Sequence, residues 1–114
     1  MDLSAQDDLV ATVLMDMART ETAPRVDRLA SAMEAAIKGA GLKMHRNPIQ
    51  SGGFSVLKSP DIPSVLIELG FLSSASDLER LIDGEWRAKM ARAIRDALKA
   101  WAAQDAALSA LVRN

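Results

Sequence analysis

The chain contains no cysteine and a single histidine, His45. The first absence excludes disulfides and thiolate metal sites. The second leaves His45 without the imidazole partners that a zinc site ordinarily needs, since three protein ligands are the usual minimum. Charge of one sign is also missing. A net charge of −1 gives no electrostatic case for nucleic acid or anionic lipid. No apolar run approaches the roughly 20 residues of a membrane span, and no basic-then-apolar leader opens the chain. Internal repeats, a Walker loop, a dinucleotide fingerprint and a His-Glu-x-x-His motif are all lacking. What remains is 114 residues, 49% of them apolar, which suits one small packed domain.

Three stretches have helical periodicity. Between Asp8 and Arg19, Leu9, Val10, Val13, Leu14 and Met17 form one apolar stripe, and Asp7 or Asp8 can cap its start. Thr20 to Ala23 break that pattern. Pro24 then suits the first turn of a second helix over 24–40. Its apolar face carries Val26, Leu29, Ala30, Met33, Ile37 and Ala40, and Gly39 and Gly41 supply its stop. Arg25, Asp27, Arg28, Glu34 and Lys38 read as its solvated face. Ser76 with Glu79 makes a capping box for a short helix through Ile82, which Asp83-Gly84 ends. A third long helix runs over 85–101, with Trp86, Met90, Ile94, Ala97, Leu98 and Trp101 on one face. Residues 102–114 continue as a helical tail of high propensity but weak pattern.

Two stretches read as strands. Phe54–Lys58 alternates after the glycine pair Gly52-Gly53. Ser64–Leu69 is too short an apolar run for a helix and is bounded by Pro63 and Gly70, so it reads as a strand buried on both faces. The expected fold is therefore α/β, a short central sheet packed by helices near 8–19, 24–40 and 85–101. A two-stranded sheet leaves an open edge, and the stripe of Leu9, Val13, Leu14 and Met17 has no obvious partner. Both features point to a homodimer.

The strand over 64–69 carries Glu68 where a polar residue is least expected, beside the turn at Gly70. A carboxylate there sits where α/β proteins usually carry chemistry. Its apolar neighbours, Val65 to Ile67 and Leu69 to Phe71, would desolvate it. Other candidates are weaker. His45 sits in a polar connector, as a surface residue, a metal ligand or a substrate contact. Asp61 orders the turn between Pro60 and Pro63. Ser64 and Ser73 lack a neighbouring base, and Asp77 and Glu79 are helix-start residues.

The run Phe54-Ser55-Val56-Leu57-Lys58-Ser59-Pro60-Asp61-Ile62-Pro63-Ser64-Val65-Leu66-Ile67-Glu68-Leu69-Gly70-Phe71-Leu72-Ser73 resembles the C-terminal signature of the zinc-dependent N-acetylmuramoyl-L-alanine amidases. The resemblance implies that residues 1–101 form the C-terminal portion of an amidase catalytic domain. Within it, residues 1–22 would be a regulatory or interaction helix, and 102–114 an addition. It implies an enzyme that hydrolyses the amide between N-acetylmuramic acid and L-alanine of the peptidoglycan stem peptide, in the periplasm or cell envelope. Glu68 takes the position of the family's catalytic glutamate. The family's zinc ligands, two histidines and a glutamate, all precede the matched region, so this chain alone is expected to hold no zinc. The competing reading is a non-catalytic module that self-associates or binds a partner through its first helix.

Overall fold

A computed structural model of the chain describes residues 3–52 and 59–113. Three helices follow one another: α1 (Leu3–Gly39), α2 (Ala75–Leu81) and α3 (Gly84–Arg113). The described residues contain no strand. This corrects the α/β expectation. The strand expected over 54–58 lies outside the described residues. The stretch 64–69 has no regular secondary structure and pairs with no neighbour among them. A strand is defined by the ladder it shares, and propensity without a partner does not make one.

The helices expected near 8–19 and 24–40 are one continuous helix of 37 residues with Pro24 inside it. Proline removes the N–H that would bond to the Thr20 carbonyl, at a cost of about 3 kcal/mol in a helix interior. The Thr20–Ala23 stretch nevertheless stays helical, with Thr22 buried and the Thr20 hydroxyl donating to the Asp16 carbonyl at 2.9 Å. The helix expected over 85–101 continues without a break through the tail, to Arg113.

α1 stops for a local reason. Gly41 takes φ +75°, which an L side chain rarely adopts. The Leu42 N–H then donates to the Ile37 carbonyl at 3.2 Å, and the Gly41 N–H to the Lys38 carbonyl at 3.0 Å. These are the two bonds of a Schellman cap, and its usual apolar contact is present, since Leu42 and Ile37 share a core cluster.

α1 and α3 pack antiparallel. Leu29, Met33 and Ile37 recur at four-residue spacing and meet Met90, Ala93 and Ala97. Ala93 and Ala97 are small enough to let the two backbones approach. Trp86, Ile94 and Trp101 flank them, half-buried. Leu98, expected in this face, is instead 45% exposed, because Ala93 and Ala97 set the contact line. The N-terminal half of α1 extends past this contact. Leu9, Val13, Leu14 and Met17 remain 65%, 50%, 59% and 61% exposed.

The molecule is accordingly elongated. A helix of 37 residues is about 56 Å long, and the longest dimension is 61 Å. The radius of gyration is 18.2 Å, against roughly 13 Å for a compact domain of this size. Accessible surface is 8629 Å², where a finished monomer of this mass exposes about 6,000 Å².

Candidate active site

The segment between the hairpin's two long helices carries Glu68. Val65 and Ile67 pack against the cluster of Leu29, Met33 and Ala97. Burial alternates along the segment: Val65 and Ile67 are half-buried, while Leu66 and Glu68 between and after them are exposed. The segment is covered on one face, not on both as its composition suggested. Glu68 consequently sits on an open surface, and its apolar neighbours do not enclose it. Among the described residues it has no hydrogen-bond or ion-pair partner.

Beyond Glu68 the chain turns at Gly70. The Phe71 N–H donates to Asp77 Oδ2 at 3.0 Å, and the Ser74 N–H to the Phe71 carbonyl at 3.0 Å. Asp77 Oδ1 accepts from Arg80. The Phe71 N–H and then the Arg80 charge, with Lys43 nearby, hold the Asp77 carboxyl below the ordinary carboxylate range. α2 itself is capped by Ser74, whose Oγ accepts the Asp77 N–H at 3.4 Å. Ser76 was the expected cap. Ser74 takes the role because it has the extended backbone, φ −92° and ψ 121°, that an N-cap requires. Asp83 caps α3 in turn, its Oδ1 accepting the Glu85 N–H at 3.0 Å.

The remaining sequence candidates do not converge on Glu68. His45 is exposed, and its Nδ1 accepts the Asn47 N–H at 3.2 Å. Asp61 is exposed in the turn between the prolines. The Ser64 hydroxyl donates to the Ile62 carbonyl at 3.0 Å. Two shallow grooves lie along the helix pair, one beside Arg28 and Ser31 and one beside Gly39 and Arg92, and Glu68 lines neither.

A second polar cluster sits on the far end of the hairpin. Asp105 is buried and accepts two bonds from Arg25, from Nε and Nη2, both at 2.9 Å. Arg28 Nη2 lies 3.6 Å from the same carboxylate. The Trp101 indole donates to the Arg25 carbonyl at 2.9 Å, and the Arg25 guanidinium lies 6.0 Å from the ring centre. Arg25 and Arg28 are thus not simply a solvated face. The signal was available: Asp105 stands four residues after Trp101 and eight after Ala97, in register with the apolar stripe.

Residues 9–100 match the family model described as N-acetylmuramoyl-L-alanine amidase. The chain belongs to this family. It is similar to the N-acetylmuramoyl-L-alanine amidase AmiC of Escherichia coli O6:H1, 37% identical over 67 residues, covering 59% of this chain and 16% of the relative. The amidase AmiA of Escherichia coli K12 is 34% identical over 91 residues, 80% of this chain and 31% of the relative. The probable cell wall amidase LytH of Staphylococcus epidermidis is 36% identical over 73 residues, 64% of this chain and 25% of the relative. The amidase chain thus spans a third or less of the length of these relatives. No solved structure matches it.

Proposed function

We propose that this chain supplies the proton-transfer carboxylate of a zinc-dependent N-acetylmuramoyl-L-alanine amidase acting on peptidoglycan in the periplasm or cell envelope. The bond cut is the amide joining N-acetylmuramic acid to L-alanine of the stem peptide. One observation carries the reading. Within Ile67-Glu68-Leu69-Gly70-Phe71, Glu68 is exposed on a segment whose Val65 and Ile67 are seated on the helix pair. The carboxylate is free to meet a ligand, while its backbone is anchored.

The donor set of the described residues does not fit a zinc site. No three His, Asp or Glu groups among them come together to hold a metal. His45, the only histidine, has its Nδ1 engaged by the Asn47 N–H. The zinc that the family resemblance implies would need ligands from outside the described residues, and the chain covers only 16% to 31% of the relatives compared above.

Glu68 would accept a proton from the attacking water and return it to the leaving nitrogen, so that the amide yields a carboxylate and an amine. No helix among the described residues is long and apolar enough to cross a membrane. Residues 9–100 match the family model, which supports placing catalysis in this part and treating 102–114 as an addition.

The test is Glu68→Gln in the full-length protein. Turnover of a muropeptide substrate should fall by about 10²–10⁴, the usual cost of losing a general acid/base, with zinc content unchanged. Near-normal turnover would exclude the role.

A further inference from the structure

The structure assigns Asp77 as the positioning residue for Glu68, holding the turn that presents the carboxylate; this rests on the catalytic role proposed above. The turn has two anchors. On one side Ile67 is packed against Leu29, Met33 and Ala97. On the other the Phe71 N–H is bonded to Asp77 Oδ2 at 3.0 Å. Only Glu68, Leu69 and Gly70 lie between them, so Glu68 is bracketed within a span of three residues.

Asp77 also fits the turn by shape. A Cβ built on Gly70 would fall 3.2 Å from Asp77 Cβ and 3.4 Å from its Cγ. The Gly70 backbone, at φ +159°, lies directly on the Asp77 side chain. Asp77 is itself held. Its N–H reaches Ser74 Oγ at 3.4 Å and its second oxygen is occupied by Arg80. The helix it belongs to is tied to the hairpin, since Arg87 Nη1 donates to the Leu81 carbonyl at 2.9 Å. Position therefore passes from α3 through α2 and Asp77 to the backbone beside Glu68. Active groups held through such supporting bonds lose rate when displaced by as little as an ångström.

The charged groups that act on Asp77 are Arg80 from α2 and Lys43 from the segment after α1. Both favour the ionised form, which is the form that can accept from both Phe71 and Arg80.

The experiment uses the full-length protein, with Asp77→Asn, Gly70→Ala and Glu68→Gln made in parallel. Gly70→Ala pushes the turn off Asp77 without altering charge. Muropeptide hydrolysis is measured as kcat and KM separately, and the Phe71 amide proton is followed by NMR between pH 2 and 7. In the parent protein the Phe71 amide should titrate with a carboxyl below the ordinary aspartate value, and Asp77→Asn should abolish that titration. In both Asp77→Asn and Gly70→Ala, kcat should fall by roughly 10–100-fold with KM within about twofold. If either variant is too unstable to assay, the other variant and the Phe71 titration decide. Normal kcat in Asp77→Asn or Gly70→Ala, or a Phe71 amide that does not titrate in the parent, overturns the assignment. Normal turnover in Glu68→Gln instead removes the reading beneath it, so the two failures are distinguishable.

Discussion

Arg25 and Asp105, eighty residues apart in sequence, are joined by two hydrogen bonds of 2.9 Å across the helix hairpin. The geometry is the fork-to-fork arrangement that a guanidinium and a carboxylate make best. The pair links the start of α1's packed half to the C-terminal part of α3. It lies where the apolar seam of Leu29, Met33 and Ala97 ends, and Trp101 covers it.

Asp105→Ala should lower the thermal midpoint of the hairpin clearly, because Arg25 and Arg28 lose their shared partner and Arg28 Nε is already buried without one. The exposed pair Arg19–Asp16 is the control. Asp16→Ala should change stability by only about 0.5 kcal/mol, as surface pairs do. Equal losses in the two variants would count against the part-buried Arg25–Asp105 pair.

The pH dependence follows from the same carboxylate. Arg25 first, then the charges of Arg25 and Arg28, hold Asp105 below the ordinary range. A group whose folded pKa is lowered stabilises the fold fully above its unfolded value, near 3.9, and that contribution is lost as pH falls through the folded value. Asp77 has the same sign. Helix content and melting temperature should therefore hold from neutral pH down to about pH 5 and drop below about pH 4. In Asp105→Asn the acid-induced loss should be smaller, as circular dichroism against pH would reveal.

Burial divides α1 into two halves with different sensitivity. Leu29→Ala should cost about 2–5 kcal/mol, the price of a core truncation, because Leu29 is only 5% exposed. Leu14→Ser should cost the monomer only about 0.5 kcal/mol, since Leu14 is 59% exposed in the single chain, a comparison made at concentrations below those at which the chain dimerises. The same exposed stripe is expected to drive a two-fold dimer, which Leu14→Glu with Val13→Glu should dissociate. Sedimentation at micromolar concentration checks this, and a clean monomer before mutation would sink it.

Gly41→Ala meets no neighbouring atom within 4 Å, so its cost is purely conformational. At φ +75° an alanine should lose about 1–2 kcal/mol, and urea denaturation would measure it. A neutral result would mean that the cap after α1 relaxes without penalty.

Much of this protein is written in short-range pattern. The apolar spacing of Leu29, Met33 and Ile37, the stop at Gly41, and a helix entered after Asp83 all follow from 3.6-residue periodicity and capping chemistry, which act within a turn or two. Glu68 was legible as the odd carboxylate in an apolar run, and the 20-residue run around it pointed to the family to which the chain belongs. Tertiary structure decided the rest. Whether Ser64–Leu69 became a strand depended on a ladder partner, and none lies among the described residues. Whether Pro24 opened a new helix or sat inside one long helix was decided only in the fold, where α1 runs unbroken from Leu3 to Gly39. Which other carboxylates are tied into the fold depended on distance through space. Asp77 looks like a helix-start residue until Phe71 folds back onto it, and Asp105 looks like part of a loose tail until Arg25 reaches it across the hairpin.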